Sequence, residues 1–520
     1  EGGECIGWIN QGDWVAYQGL RLDDSVTQLE LRVASASQGG LVEVRSGSPT
    51  GKLLGTGKVE NTGDWQAWQS CLVSLEGTAY EEPLYLVFRS IQTELETAGL
   101  WYAKVGPTHT TLWAQFPSIN PNDTEVEINV RRTVFYPLKT GINYLTVRGF
   151  TLLNAATPWA PPTAEQPGLI GTNWSKGWII EDNTIAYSMC VGIALGKHGD
   201  EYDNTSQNSA EGYVETIKRA FERGWSKENI GHHLVRNNHI SNCEQAGIVG
   251  SLGAVFCTIT GNEIYDIQVR RLFSGAEVAG IKFHGAIDTV ISHNRIYNCC
   301  QGLWLDWMAQ GTRVTGNLFY NNPERDLFME VNHGPYVVDN NLFLSRVSLL
   351  DVSEGGAFVH NLFAGAFIRS PEPNRETPYH LAHSTEVAGL VTTQGGDNRF
   401  FNNLFVAGNG LALYNAASRL NFARGNVFLT TAEASSFDEE PGVFSTIDAR
   451  CNLMSDATGL ALELDFAEDL PGIPTQLITS ESLGMAAVTG LPYEQADGAP
   501  YTFDTDYLGK PRSKDRKSVV

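Results

Sequence analysis

A six-residue pattern recurs along the middle of this 520-residue chain and constrains its fold more than any other feature. The pattern is an apolar residue, two variable residues, Asn, one more residue and a second apolar residue. Its copies are IIEDNTI (179–185), LVRNNHI (234–240), TITGNEI (258–264), VISHNRI (290–296), RVTGNLF (313–319), VVDNNLF (337–343), the shorter FVHNLF (358–363) and RFFNNLF (399–405).

The spacing of these copies predicts a parallel β-solenoid. The asparagines from 238 to 341 lie 24, 32, 23 and 24 residues apart. A period of about 20–25 residues with β-branched residues and polar turns is typical of stacked coils. Stacked coils place equivalent asparagines above one another, so that their amides can bond in a ladder. We therefore expect an all-β chain built mainly of such coils.

Two intervals are too long for a plain coil and predict insertions. The segment VRRLFSGAE lengthens one coil, and a larger insertion spans 197–231. In the larger one, Val214, Ile217, Phe221 and Trp225 recur at helical spacing. The predicted helix either covers the solenoid surface or forms a lid over a site.

The sequence before and after the repeats lacks their pattern, which suggests that the chain has three parts. Residues 1–135 contain short alternating strands such as LELRVASAS and PLYLVFRS, which predict a β-sandwich. Residues 136–430 form the solenoid, and residues 431–520 form final coils and a loop-rich tail.

A second strand follows each asparagine turn, and its alternation decides which side chains face outward. Aligned on their glycines, the strands are GIALG (192–196), GIVGS (247–251), GIKFH (280–284) and GLWLD (302–306), followed by DLFME (326–330). Positions two and four are apolar in nearly all of them and should point inward. The outward columns then hold Lys282, Trp304 and Phe328, and His284, Asp306 and Glu330.

Asp306 and Glu330 should therefore lie on neighbouring rungs, about 5 Å apart. Two carboxylates at this distance repel each other when both are ionised, so the pKa of one of them should rise. The pair then contains a protonated acid and an ionised base. A separation of about 5–5.5 Å is typical of retaining glycosidases. The aromatic column beside the pair, predicted to be exposed, favours a binding groove. A solvated polar column on a solenoid face is the alternative.

Composition excludes several classes of protein. The formal net charge is −23, which disfavours nucleic acid or an anionic membrane as partner. Uninterrupted apolar runs are too short for a membrane-spanning helix. The eight cysteines have no zinc-like spacing and are interpreted as buried free thiols. We expect no metal or other cofactor, and oligomeric state and compartment, secreted or cytoplasmic, stay open.

Several long blocks resemble glycoside hydrolase family 120, β-xylosidases built on a right-handed parallel β-helix with a β-sandwich. They are TPWAPPTAEQPGLIGTNWSKGWIIEDN (157–183), RGWSKENIG (223–231), EVAGIKFHGAID (277–288), GLWLDWMAQGTRVTGNLFYNN (302–322), MEVNHGPYVVDNN (329–341) and YHLAHSTEVAG (379–389). The resemblance implies retaining hydrolysis, with Asp306 as nucleophile and Glu330 as acid/base. It also implies a further active-site carboxylate, Glu277. The family's β-helix coils before the sandwich have no counterpart after Glu1, so we expect the chain to lack an N-terminal portion.

Residues 1–90 resemble carbohydrate-binding module family 6 in GWINQGDWVAY (7–17), SPTGKLLGTGKV (48–59), TGDWQAWQS (62–70) and LYLVFR (84–89). The resemblance places Trp8 and Trp65 where that family holds a sugar ring between two aromatics. The opening and closing strands of the module are missing or replaced, so the two tryptophans are either a sugar platform or sandwich core.

The favoured function is a retaining, exo-acting β-xylosidase that releases xylose from xylo-oligosaccharides. Glu277, Lys282 and His284 are predicted to bind sugar hydroxyls, and Trp304, Trp307 and Trp159 to line the pocket. His333 either tunes the pKa of Glu330 or makes a turn hydrogen bond. One rival is a β-helix polysaccharide lyase or pectinase-like enzyme, with Lys282 and Arg295 as its basic residues. The other is a non-catalytic carbohydrate-binding protein.

Overall fold

The computed structural model describes residues 9, 12–20, 26–35, 39–63, 67–75, 83–89, 100–116, 119–203, 209–271, 277–456, 459–466 and 475–512. Trp8 and Trp65, predicted to form a sugar platform, lie outside this set. The chain divides into two compact units, residues 1–126 and 127–520. None of the described helices is long and apolar enough to cross a membrane.

The first unit is an antiparallel β-sandwich, as the alternating strands predicted. Val42 and Val44 are buried together with Cys71 and Val73 in its core. Four strands form one sheet, in the order Trp14–Tyr17, Leu84–Arg89, Gly40–Ser46 and Lys52–Val59. Two others pair as Gln28–Val33 with Gln69–Ser74, and a separate hairpin joins Trp101–Val105 to Thr110–Ala114.

The second unit is a right-handed parallel β-helix with three sheets, which confirms the predicted fold class. Each coil contributes a strand before its asparagine turn to sheet 1 and a strand after it to sheet 2. The chain then passes through sheet 3 and returns to sheet 1 of the next coil. Because consecutive coils pair in parallel, equivalent positions of the repeat lie directly above one another.

The strands of the three sheets have the following bounds in chain order. Sheet 1 consists of Thr146–Arg148, Ile179–Glu181, Leu234–Arg236, Thr258–Thr260, Val290–Ser292, Arg313–Thr315, Tyr336–Asp339, Gly356–Val359, Arg399–Phe401, Phe422–Arg424 and Asp438–Glu439. Sheet 2 consists of Thr151–Ala155, Thr184–Ser188, His239–Ser241, Glu263–Tyr265, Arg295–Tyr297, Leu318–Tyr320, Leu342–Phe343, Leu362–Phe363, Leu404–Phe405, Val427–Leu429 and Gly442–Phe444. Sheet 3 consists of Gly168–Gly171, Val191–Ala194, Ala246–Ser251, Ala279–His284, Gln301–Asp306, Arg325–Glu330, Val347–Val352 and Ala366–Arg369.

The predicted asparagine ladder runs through the turn between sheets 1 and 2. Each side-chain amide donates to the Oδ1 atom of the next asparagine at 2.9–3.1 Å. Each Oδ1 also accepts from the backbone N–H of the preceding asparagine. Both hydrogen-bonding groups of every interior amide are thus satisfied without water. The ladder contains Asn183, Asn238, Asn262, Asn294, Asn317, Asn341, Asn361, Asn403 and Asn426.

Apolar side chains fill the interior of the coils. Ile281 and Leu303, on neighbouring strands of sheet 3, are fully buried, and stacked phenylalanines such as Phe343 and Phe363 continue the core. The seven cysteines in the described residues form no disulfide, and six of them are buried. Burial raises the pKa of Cys257 to about 12, which keeps that thiol protonated.

Insertions interrupt the coils near sheet 3, and two of them carry a helix or hairpin within the described residues; residues 272–276 of the predicted VRRLFSGAE insertion lie outside that set. The first contains a helix, α1, at Ala210–Glu222, within the 55 residues between Asn183 and Asn238. Ser209 caps α1 by accepting a hydrogen bond from the N–H of Gly212. The second, within the 42 residues between Asn361 and Asn403, is a hairpin that we call hairpin 376–392. Its strands are Glu376–His380 and Val387–Thr392.

The remaining elements belong to the C-terminal part. A 3₁₀ helix spans Ala412–Ala416 and a short helix spans Ser480–Leu483. A hairpin joins Cys451–Asp456 to Gly459–Leu464, and its apolar side chains pack beside the outer side chains of sheet 2.

The helix predicted in the 197–231 insertion is confirmed; Ile217 and Trp225 are buried, whereas Phe221 is partly exposed.

Candidate active site

The strand register predicted for sheet 3 is confirmed and defines the site. His284, Asp306 and Glu330 are directly paired on three consecutive strands. Lys282 and Trp304 are paired in the adjacent outward column. Neighbouring parallel strands lie about 4.8 Å apart, so the two carboxylates occupy adjacent rungs on the outer face of the coil.

Asp306 is held through one of its two carboxylate oxygens. Its Oδ2 accepts from Lys282 Nζ at 2.8 Å and lies 3.0 Å from His284 Nε2. Its Oδ1 is buried and makes no hydrogen bond within the part of the chain that the structure describes. Burial alone would raise the pKa of Asp306, but the Lys282 ammonium and the neighbouring His284 imidazole outweigh burial and hold the pKa well below its usual value. Asp306 is therefore an oriented anion with one free oxygen.

Lys282 is the centre of the charged cluster and is fully buried. Its Nζ also lies 3.0 Å from Glu277 Oε1 and 3.8 Å from the centroid of the Trp304 ring. Burial lowers the pKa of Lys282, but the negative charges of Asp306 and Glu277 raise it by more than burial lowers it. The net shift of the Lys282 pKa is therefore upward. The predicted sugar-binding residues Glu277, Lys282 and His284 are thus brought together around Asp306.

Glu330 is bonded through both of its oxygens. Arg375 Nη1 donates to Oε1 at 2.6 Å, and Trp304 Nε1 donates to Oε2 at 3.1 Å. Burial and the nearby charge of Asp306 raise the pKa of Glu330, while Lys282 and Arg375 partly oppose the rise. The pKa of Asp306 is lowered and that of Glu330 is raised, which suits a nucleophile and a general acid.

The aromatic residues point outward, as predicted, but the prediction that they are exposed is wrong. Trp304 and Phe328 stack with ring centroids 4.8 Å apart and are only 7 % and 8 % exposed. They belong to an apolar cluster that includes residues of α1 and buries Trp307 as well. Tyr213 of α1 contacts the ring of Trp307 at 5.2 Å and that of His284 at 4.8 Å. The insertion therefore covers part of the column.

Two other predicted residues, Trp159 and His333, make no hydrogen bond to Asp306 or Glu330 among the described residues. Trp159 is about one-third exposed, next to Ala160, whose carbonyl accepts from Gln166 Nε2. His333 is buried and makes its hydrogen bonds with Glu354 and Thr377, while the bonds to Glu330 come from other residues. The suggestion that His333 directly tunes Glu330 therefore finds no contact to support it.

Three residues of the site were not predicted. Arg375 precedes hairpin 376–392, Tyr213 belongs to α1, and Gln166 donates to Glu277 Oε2 at 3.0 Å. The 55- and 42-residue intervals in the asparagine ladder mark the insertions that supply Tyr213 and Arg375. Gln166 lies within the family-resembling block 157–183, but no repeat relates it to Glu277, which is 111 residues away in sequence.

Within the described residues, Glu277, His284 and Asp306 form the group whose potential metal-ligand atoms lie close together, within 4.8 Å of one another. Lys282 Nζ already bonds to both carboxylates from inside this group. An ion bound there would have to displace this ammonium group. The chain therefore supplies the positive charge at the cluster itself.

Comparison with known proteins identifies the family. The structure of XylC in complex with xylose is 35% identical in sequence to this chain, with a TM-score of 0.77. The match covers 96% of this chain and 85% of XylC. The chain belongs to glycoside hydrolase family 120. This confirms the family resemblance, and the chain is a glycoside hydrolase with a β-helix at its core.

Two family models match separate parts of this family 120 protein. Residues 1–120 match the carbohydrate binding module (family 6), and residues 125–328 match the periplasmic copper-binding protein (NosD) model. Endo-1,4-beta-xylanase A of Thermoclostridium stercorarium is 34% identical over 87 residues, 17% of this chain. The match spans only 17% of that xylanase.

The basic pair of the lyase alternative is not assembled. Arg295 lies on sheet 2, where it bonds to Tyr320 and pairs with Glu263. Lys282 lies on sheet 3, fully occupied by its own partners. Family membership and this placement both favour hydrolysis over β-elimination.

Proposed function

We propose that this protein is a retaining, exo-acting β-xylosidase with Asp306 as nucleophile and Glu330 as general acid and base. The observation that carries the proposal is the difference between the two carboxylates. Asp306 is kept ionised with Oδ1 unbonded, whereas Glu330, one rung away, is in surroundings that favour its protonated form. An inverting enzyme requires room for a water between the carboxylate and the sugar, and a spacing of one rung leaves no such room.

In the first step, Oδ1 of Asp306 attacks the anomeric carbon of the non-reducing-end sugar. Protonated Glu330 gives its proton to the glycosidic oxygen, and the bond between that oxygen and the anomeric carbon breaks. The products are a free leaving group and a glycosyl ester on Asp306. Lys282 and His284 both contact Oδ2, which leaves Oδ1 free for the attack.

In the second step, water replaces the leaving group. Esterification removes the negative charge of Asp306, which had raised the pKa of Glu330. Glu330 then accepts a proton from water, whose oxygen attacks the anomeric carbon and releases Asp306. Two inversions give overall retention of configuration.

The substrate class is proposed from the family and the cluster. XylC, which shares 35% identity with this chain, was solved with xylose bound. Glu277, Lys282 and His284 offer a carboxylate, an ammonium and an imidazole beside the anomeric position, which suits hydroxyl recognition. Trp159 and Trp307 are proposed to line the walls of the sugar site. Xylo-oligosaccharides are the proposed substrate.

Azide rescue tests both roles on a 4-nitrophenyl β-xyloside. Asp306→Ala should lose activity and, with azide, form α-xylosyl azide, because azide replaces the nucleophile. Glu330→Ala should form β-xylosyl azide, because azide attacks the ester. Glu263→Ala, on sheet 2, is the control and should behave as wild type. Wild-type rates in both site variants would contradict the proposal.

Trp8 and Trp65 are proposed, from the sequence, to bind xylan in the N-terminal unit. Replacing either tryptophan by Ala in the full chain should weaken pull-down on insoluble xylan and leave hydrolysis of the aryl xyloside unchanged. Unchanged pull-down in both variants would show that the two residues are not a sugar platform.

A further inference from the structure

Arg375 is the residue that contacts Glu330 from outside the coils. Its Nη1 atom lies 2.6 Å from Glu330 Oε1, and the two side chains are 32% and 13% exposed. Arg375 stands one residue before the first strand of hairpin 376–392. A long side chain from an insertion reaches a fixed partner only if the backbone that carries it is held in place.

The first strand of the hairpin is tied to the backbone next to Glu330. Thr377, two residues after Arg375, donates its hydroxyl to the carbonyl of Val331 at 2.9 Å. The same hydroxyl lies 2.9 Å from His333 Nε2, and His333 Nδ1 lies 2.8 Å from Glu354 Oε1. Val331 directly follows Glu330, so the tie holds both partners of the ion pair.

Glu354 also holds the other end of the hairpin. Its Oε2 accepts from the backbone N–H groups of Gln394 and Gly395, at 3.0 and 3.2 Å, and from Arg419 Nε at 3.0 Å. Glu354 is fully buried. One carboxylate thus connects the two ends of hairpin 376–392 to the coil, through His333 on one side and directly on the other.

We propose that Arg375 is a positioning residue for Glu330, and that the Glu354–His333–Thr377 chain is the anchor that keeps Arg375 in place. This inference rests on the proposed role of Glu330 as general acid. Arg375 fixes the carboxyl group while Trp304 Nε1 holds the other oxygen. His333 thus acts on Glu330 through Thr377 and Arg375, without touching it.

The contact between Arg375 and Glu330 should affect the pH dependence of catalysis. The charged groups that act on Glu330 are Asp306 from the neighbouring strand, Lys282 from the strand beyond it, Arg325 from its own strand, and Arg375. Among them, Asp306 favours protonated Glu330, whereas Lys282 and Arg375 oppose it. Because catalysis needs protonated Glu330, its pKa sets the alkaline limb of kcat/KM. Loss of Arg375 should move that limb to higher pH.

The first experiment compares the pH dependence of kcat/KM in Arg375→Met, Arg375→Lys and Arg295→Met. We expect the alkaline limb of Arg375→Met to rise by about one pH unit, since a close opposite charge shifts a pKa by about 1–3 units. Arg375→Lys keeps the charge and should keep the limb near its wild-type position while lowering kcat. Arg295→Met removes an arginine of similar exposure on sheet 2 and should leave the profile unchanged. An unmoved limb in Arg375→Met overturns the proposal.

The second experiment tests the anchor with Thr377→Val, which removes the hydroxyl at nearly constant volume. Thr377→Val should move the alkaline limb upward in the wild-type background. In the Arg375→Met background it should move the limb no further, because the residue it positions is gone. Equal shifts in both backgrounds, or none in either, would show that Thr377 does not act through Arg375.

Glu330→Gln separates failure of this inference from failure of the proposed function. On an aryl xyloside with a highly activated leaving group, which needs no acid, Glu330→Gln should turn over the substrate without the alkaline limb. A normal limb in Glu330→Gln means that the proposed function is wrong. If the alkaline limb is lost in Glu330→Gln but does not move in Arg375→Met, only the positioning role is wrong.

Discussion

Replacing Lys282 by Met removes the ammonium group that lies within 3.0 Å of both Asp306 and Glu277. The ammonium group is fully buried, with its two carboxylate contacts at 2.8 and 3.0 Å and the Trp304 ring beneath it. Methionine fills a similar volume without charge, so the change isolates electrostatics from packing. The variant leaves two buried carboxylates to repel each other.

The cost of this change can be estimated from the burial of the group. Removing one partner of a buried ion pair costs about 3–5 kcal/mol, because the remaining charge stays desolvated. This is a large fraction of the 5–15 kcal/mol that typically separates folded from unfolded protein, so the variant should fold but with a clear loss. We expect a loss of about 3 kcal/mol or more at pH 7.

The loss should depend on pH in a defined direction. In the wild type, the lowered pKa of Asp306 stabilises the folded state above the unfolded pKa of about 3.9, and that term fades as the pH falls through the folded pKa. Without Lys282, only His284 opposes the effect of burial, so the pKa of Asp306 should rise and the folded variant should take up protons as the pH falls from 7 to about 4. The deficit in the free energy of unfolding should therefore shrink over that range.

Urea denaturation followed by tryptophan fluorescence at pH 7 and pH 4.5 measures the deficit, and the acid limb of kcat/KM should move to higher pH in the same variant. Lys197→Met is the matched control, since Lys197 is also buried and pairs with Asp200 and Asp203. It should be destabilised as well, yet keep the wild-type acid limb. An equal deficit of Lys282→Met at both pH values would refute the electrostatic reasoning.

Two further predictions concern the coils and the helical insertion. Asn317→Ala should lower the free energy of unfolding by about 3 kcal/mol or more, because three buried groups each lose a hydrogen bond, at about 1–3 kcal/mol each: one amide N–H and the backbone N–H of Asn294, and the carbonyl of Ile291. Urea denaturation against Asn298→Ala, an exposed-turn control, measures the loss, and a loss of under 1 kcal/mol would contradict the prediction. Tyr213→Phe should keep kcat/KM near wild type, because it keeps the ring that supports His284 and Trp307. Tyr213→Ala removes the ring and should lower kcat/KM about tenfold, or about 1.4 kcal/mol. Equal kinetics for the two variants would show that the ring has no such role.

The coils could be predicted because the repeat carries their register. The asparagine positions identify equivalent turns, and alternation within the following strand decides which side chains face outward. These two facts paired Asp306 with Glu330 across 24 residues of sequence, and the strand register confirms the pairing. Periodicity is informative here because each coil repeats the same contacts.

The side chains that the insertions bring to the site could not be predicted in the same way, because the insertions have no repeat. Arg375 contacts Glu330 across 45 residues, and the hairpin that carries it is placed by buried Glu354. Trp304 points away from the coil interior, as alternation requires, yet it is buried because α1 and neighbouring segments cover it. His333 is one coil from Glu354, a relation that register could have found, but its link to Thr377 depends on the hairpin.

The proposed mechanism requires that Asp306 becomes covalently glycosylated during turnover. Incubation with a 2-deoxy-2-fluoro-β-xyloside carrying an activated leaving group should trap the ester, since the fluorine slows its hydrolysis. Mass spectrometry of the intact protein and its peptides should find one fluoroxylosyl group, on the peptide that contains Asp306, and none in Asp306→Asn. An adduct on another carboxylate, or steady inactivation of Asp306→Asn, would contradict the assignment.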